Sequence, residues 1–155
     1  MKSYSKHSNM KKNIFIGIIF FLSFSIYSQS TPNQLINNFF EEFPKNSDKA
    51  IDDLYATNPW SLRIKDGIER IKKEINSYTV DEVGEYYGYE PITNTQLSES
   101  FILLSYIIKY DRQPLRFTFM FYKPNNQWRL YSFKIDAELA SEIEEASKIY
   151  FLNLD

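Results

Sequence analysis

The chain has 155 residues, and its composition already excludes several classes of protein. It contains no cysteine, which excludes disulfide frameworks, thiolate nucleophiles and cysteine metal sites, and its only histidine is His7. Residues 29–155 keep 14 of the 18 basic residues and all 20 acidic ones, a formal charge of −6. This excess of acid gives no support for nucleic acid or an anionic membrane surface as a partner.

The N-terminal segment has the order of a secretory signal peptide. Lysines come first, an apolar run over residues 14–27 follows, and the small residue Ser28 precedes a polar stretch. A membrane-spanning helix needs about 20 apolar residues, more than this run offers. We predict that residues 1–28 are removed between Ser28 and Gln29, leaving an exported protein, periplasmic or extracellular, without a stable membrane anchor. An uncleaved anchor or a core helix is the alternative.

Three helices are predicted next. Thr31 followed three residues later by Gln34 makes a capping box, which predicts a helix that ends at Pro44. Ser47 is the predicted cap of a second, short helix. From Ser61 onwards, isoleucines recur at steps of four, three and four residues, which predicts a third amphipathic helix.

After the helices the hydrophobic period falls to two, which is typical of strands. We predict strands over 78–89, 101–110, 114–122 and 128–135 and a loop over 91–98. The short turns between the last three strands predict an antiparallel meander.

A final helix is predicted from Asp136, and it buries a stripe made by Leu139, Ile143, Ala146 and Tyr150. The expected fold class is α+β, with residues 29–155 forming one domain of helices on the concave face of a curved antiparallel sheet.

The third and fourth predicted strands carry a resemblance to a known superfamily. Residues 114–122 read PLRFTFMFY, a Tyr-Lys-Pro turn begins at Tyr122, and Trp128 lies early in the next strand. Helices followed by such a meander resemble the cystatin-like cone fold of nuclear-transport-factor-2-like domains, across nearly all of residues 29–155. That superfamily includes isomerases, dehydratases, cyclases and non-catalytic binding modules, so the resemblance does not choose a function.

The residues available for catalysis are few. Because His7 lies in the predicted signal peptide, the mature chain has neither imidazole nor thiol, which excludes Ser-His-Asp and Cys-His catalysis and histidine zinc sites. Enzymes of the resembling superfamily commonly place an Asp with His or Tyr in the cone, and this chain lacks the His. A site of tyrosine, arginine and carboxylate is the remaining enzymatic alternative. We predict no metal site and no cofactor.

Arg116 is the charged residue that the sequence singles out, because it lies among apolar strand residues where an unpaired guanidinium is costly. One interpretation is an ion pair with a carboxylate of the sheet or a helix. The other is a ligand site in which Arg116 acts with Thr118, Tyr106 and Tyr122. The full set of predicted ligand-binding residues is Tyr55, Trp60, Tyr87, Tyr106 and Arg116.

Three functions stay open from the sequence. The favoured one is a non-catalytic module that binds a small ligand, held in the cone, or a protein partner. The alternatives are the enzyme described above and a structural assembly subunit. Since residues 101–108 are apolar on both sides, a homodimer through the sheet face is also predicted.

Overall fold

The computed structural model describes residues 30–152, so the predicted signal peptide over residues 1–28 lies outside the described residues. The helical segments before the sheet are α1 (Pro32–Glu42), α2 (Ser47–Ala56), a 3₁₀ helix (Pro59–Ile64), α3 (Lys65–Ser77) and α4 (Val80–Val83). The strands are β1 (Tyr86–Ser98), β2 (Phe101–Tyr110), β3 (Leu115–Tyr122) and β4 (Arg129–Asp136), and α5 (Leu139–Leu152) follows them. None of the described helices is long and apolar enough to span a membrane.

The first two helices begin at side-chain caps. At α1 the predicted capping box is confirmed: Thr31 Oγ1 accepts from Gln34 N–H (3.2 Å), and Gln34 Oε1 accepts from Thr31 N–H (2.8 Å). At α2 the predicted cap is wrong by one residue. Asn46 Oδ1 accepts from Lys49 N–H (2.9 Å), whereas Ser47 Oγ donates to Asn76 Oδ1 on α3. An amide oxygen caps a helix about as well as a hydroxyl does, so the sequence alone does not decide between Asn46 and Ser47 as the cap.

The third predicted helix is divided into two. A 3₁₀ helix begins at Pro59, where Asn58 Oδ1 accepts from Trp60 N–H (3.0 Å), and α3 begins only at Lys65. Ile64, the last residue of the 3₁₀ helix and the N-cap of α3, has φ −122° and ψ 28° and is half exposed. The helical spacing of Ile64 from the later isoleucines therefore did not indicate that Ile64 is buried.

The first predicted strand is shifted along the chain. The first residues of that prediction form α4 instead. This helix ends at Gly84, which has φ 85°, and β1 begins two residues later at Tyr86. The predicted loop over 91–98 is instead the second half of β1, paired with β2. Pro91 is tolerated there because β1 is an edge strand, where a missing N–H leaves no neighbour unpaired.

The sheet is an antiparallel meander in the order β1-β2-β3-β4, as predicted. On β3, Leu115, Phe117, Phe119 and Phe121 are fully buried and face the helices. Phe39 of α1 packs against Phe119 with ring centroids 5.2 Å apart, and Phe119 stacks on Phe133 of β4 at 4.7 Å. The chain is thus an α+β fold with helices N-terminal to a curved four-stranded antiparallel sheet and one C-terminal helix.

The C-terminal helix differs from the prediction in its start and in its stripe. Asp136 belongs to β4, and α5 begins at Leu139. Ile143 is 68% exposed and Ala146 is also exposed, so these two positions form no buried stripe; the side chain of Tyr150 lies outside the described part of the chain.

Candidate functional site

The inner face of the sheet, where a ligand was expected, is occupied by phenylalanine rings. Phe39 contacts Phe117, Phe119 and Phe133 at centroid distances between 5.2 and 6.3 Å, mostly edge to face. These rings fill the space between α1 and the centre of the sheet with apolar carbon. A polar ligand there would have no partner for its hydrogen bonds among them.

The five predicted ligand-binding residues do not come together. Tyr55 is buried on α2, Trp60 is 58% exposed on the 3₁₀ helix, and Tyr87 is 63% exposed on edge strand β1. Tyr106 pairs with Phe117 in the ladder, so it faces the helices and packs edge to face on Phe40. Arg116 pairs with Ile107, the next position along β2, and therefore lies on the opposite, outer face. The proposed grouping of Arg116 with Tyr106 is wrong for this reason.

Arg116 forms the ion pair that the first interpretation predicted. Its Nη2 and Nε atoms each lie 2.9 Å from Asp136 Oδ1, and both side chains are 12% exposed. Lys134 Nζ lies 3.3 Å from Asp136 Oδ2. Burial acts to raise the pKa of Asp136, but the hydrogen bonds from Arg116 and the Glu138 N–H, together with the nearby Lys134 ammonium, outweigh it and lower that pKa. Asp136 is therefore ionised at neutral pH and balances the charge of Arg116.

The buried tyrosines are poor acids. Burial raises the pKa of Tyr55 to about 12, and burial together with the neighbouring Tyr86 and Tyr78 raises the pKa of Tyr110 to about 12. Tyr106 is shifted upward in pKa by burial and by Tyr89. A phenol of this kind keeps its proton at neutral pH, and the Arg116–Asp136 pair lies on the other face of the sheet from Tyr106.

A surface groove of about 300 Å³ lies where the 3₁₀ helix meets the β3–β4 hairpin. We call it the hairpin groove. It is lined mainly by Asn58, Trp60, Tyr122, Pro124, Arg129 and Tyr131. Trp60 was predicted from the sequence, whereas Arg129 and Tyr131 were missed.

Two long-range hydrogen bonds fix the wall of the hairpin groove. Leu130 N–H donates to Thr57 Oγ1 (2.9 Å), and Asn58 Nδ2 donates to the Leu130 carbonyl (2.9 Å). Both backbone groups of one β4 residue are thereby tied to the end of α2. Tyr131 follows at a β-bulge, because Phe121 pairs with Leu130 while the adjacent Met120 pairs with Ser132. The bulge leaves the Tyr131 ring 62% exposed beside the groove.

Arg129 is the charged residue among those that line the hairpin groove, and two further cations contact tryptophan rings near it. The Arg63 guanidinium lies 4.4 Å above the Trp60 ring, and Lys123 Nζ lies 5.0 Å from the Trp128 ring. Arg129 is half-buried, and its Nε is sheltered from solvent without a hydrogen-bond partner. Over the part of the chain that the structure describes, no ion pair involves Arg63, Lys123 or Arg129, and no acid lines the groove.

Comparisons with protein-family models, with curated proteins and with solved structures find no match for this chain. The resemblance to nuclear-transport-factor-2-like domains therefore stays a prediction that rests on the order of the elements. Within residues 30–152, no group of three or more acidic or histidine side chains is placed to hold a metal ion.

Proposed function

We propose that the protein is an exported, non-catalytic binding module and that its ligand or partner occupies the hairpin groove. The single observation that carries this is the grouping of three exposed aromatic rings, Trp60, Tyr122 and Tyr131, in one groove with Arg129, whose buried Nε has no hydrogen-bond partner among the described residues. Exposed aromatic rings beside a sheltered cation are costly to leave facing water and are enriched at binding sites.

The chemistry of the described residues supports binding over catalysis. Of the tyrosines with raised pKa values, Tyr55 is buried on α2 and Tyr106 lies on the helix-facing side of the sheet. The carboxylate nearest to Arg116 is committed to its ion pair. An acid–base pair needs two groups whose pKa values are set apart within reach of one substrate. Tyr106 and the Arg116–Asp136 pair are instead separated by the sheet.

The test is a fragment screen by NMR on the full chain, followed by matched variants. Tyr131→Ala removes an exposed ring at the groove, and Tyr87→Ala removes an equally exposed ring on the opposite edge strand. We expect fragments to shift the NMR resonances of the groove residues. Tyr131→Ala should weaken the binding of those fragments, whereas Tyr87→Ala should leave it unchanged. If Tyr87→Ala has the larger effect, the binding surface is the one on β1, and if no fragment shifts groove resonances the proposal fails.

A further inference from the structure

We propose that the hairpin groove is a site for a carboxylate attached to a six-membered ring, with Arg129 binding the carboxylate and the aromatic side chains contacting the ring. This inference rests on the proposed function, since it names the class of ligand for that same groove. Two sources share this chemistry, an aromatic carboxylic acid and a uronic acid sugar.

The charge of the ligand follows from Arg129, the charged side chain among the residues that line the groove. Several basic side chains elsewhere pair closely with acids, although others, such as Arg70 and Arg112, form no ion pair within the described residues. Lys109 Nζ lies 2.7 Å from Glu90 Oε1, and Lys72 Nζ lies 2.7 Å from Asp52 Oδ1. Arg63, Lys123 and Arg129 take part in no such pair within the described residues. In a chain with an excess of acid, a groove that is lined by an arginine and by no acid is electrostatically complementary to an anion.

Arg129 is the cation best placed to bind that anion. Its Nε is buried without an acceptor, while the residue as a whole is only partly buried and lines the groove. The sheltered side of the guanidinium is poorly hydrated, so an anion at the terminal nitrogens competes with less water than it does at an exposed arginine. A carboxylate matches the two terminal N–H groups in spacing and in plane, which favours it over a point-like anion.

The ring of the ligand follows from the walls of the groove. Trp60, Tyr122 and Tyr131 are the exposed aromatic side chains there, and Pro124 adds a further apolar surface. Aromatic faces contact other rings and the C–H faces of sugars, while tyrosine hydroxyls offer hydrogen bonds at the rim. A volume of about 300 Å³ is at the small end of ligand sites and suits one substituted ring.

The experiment uses four probes on the full-length protein: benzoate, its neutral analogue benzamide, glucuronate and its neutral analogue glucose. Binding is followed by NMR at the groove backbone and at the Arg129 Nε–H. We expect one acid to bind about tenfold or more tightly than its neutral analogue, because a hydrogen-bonded charge is lost in the analogue. The acid that binds identifies the source.

Variants then assign the contact. Arg129→Gln should lower the affinity for the acid that binds by about tenfold or more and leave the affinity for its neutral analogue unchanged. Arg70→Gln removes an exposed arginine outside the groove and serves as the matched control. Tyr131→Ala is a second groove variant, used if the thermal midpoint of Arg129→Gln shows that it is poorly folded.

Each outcome decides between the two proposals. Equal binding of acid and neutral analogue in the groove overturns the carboxylate assignment and leaves the binding module intact. If none of the four probes shifts groove resonances but other screened fragments do, the ligand class is wrong and the proposed function stands. If nothing binds in the groove, both are wrong.

Discussion

The three described glycines provide a quantitative test of the fold, because each is expected to respond differently to alanine. Gly67 lies inside α3, and a Cβ there meets nothing closer than Arg70 Nη2 at 3.7 Å. Gly67→Ala should therefore stabilise the protein by about 0.5–1 kcal/mol through helix propensity. Gly88 has φ 101° with open space around the added carbon, so Gly88→Ala should cost only backbone strain, about 1–2 kcal/mol.

Gly84→Ala should be the most damaging of the three. Gly84 combines φ 85° with ψ −172°, a region that only glycine adopts readily, and its added Cβ would lie 2.5 Å from Asp111 Cβ and 3.0 Å from Arg112 N. The clash is with the β2–β3 turn, whose backbone is itself bonded to this segment through Arg112 N–H and the Val83 carbonyl (2.9 Å). Strain and displacement together should cost about 3 kcal/mol or more.

Urea denaturation of the wild type and the three variants gives the free energies of unfolding, with unchanged slopes confirming that the same surface is exposed. The order of stability should be Gly67→Ala, wild type, Gly88→Ala and then Gly84→Ala. If Gly84→Ala and Gly88→Ala cost the same, the close approach of α4 to the β2–β3 turn is refuted, and with it the revised start of β1.

The remaining predictions concern the core, one ion pair, export and assembly. Phe119→Ala should lower the free energy of unfolding by about 3–5 kcal/mol in urea, and a loss below about 1 kcal/mol would contradict its place in the core. The pKa of Asp136 in the folded state lies below 3.8, so its stabilisation is present above that pH and is lost as the pH falls through the lowered pKa. Asp136→Asn should therefore differ most from wild type at neutral pH in denaturation curves, and a constant difference down to strongly acidic pH would contradict this. Mass spectrometry of the exported protein should find Gln29 as the first residue; intact residues 1–28 would refute cleavage after Ser28. Light scattering should give a dimer that Met120→Lys on the outer face converts to monomer, and a monodisperse wild-type monomer at micromolar concentration would refute the homodimer.

The sequence predicted those parts of the fold whose signals are local. The alternation of Leu115, Phe117, Phe119 and Phe121 assigned a buried face to β3 without knowledge of its neighbours, and side-chain period is intrinsic to a strand. The Thr31 cap is likewise set by residues three positions apart. The structure of residues 78–98 could not be predicted from local signals in the same way. The glycine that ends α4 lies against the β2–β3 turn, which is distant in the sequence.

The candidate site depended on pairing that is not local. Arg116 was conspicuous in the sequence because of its apolar neighbours, yet its partner Asp136 is brought opposite only by the register of β3 and β4. Arg129 was overlooked because an arginine beside Trp128 at a strand start is an ordinary surface residue. Only the bulge at Tyr131 and the bonds to Leu130 place it in a groove. The sequence signal for such a site is weak: an aromatic and a basic residue at the start of a strand that follows a turn.

The two hydrogen bonds to Leu130 mean that the hairpin groove exists only while the helices are packed on the sheet. Its walls come from segments more than 70 positions apart, joined through Thr57 and Asn58 at the end of α2. When the helices separate from the sheet, both bonds break and the groove ceases to exist, even if the hairpin itself persists. Occupancy of the groove is therefore restricted to the assembled fold, so a saturating ligand would protect the whole domain against heat and proteolysis rather than one hairpin.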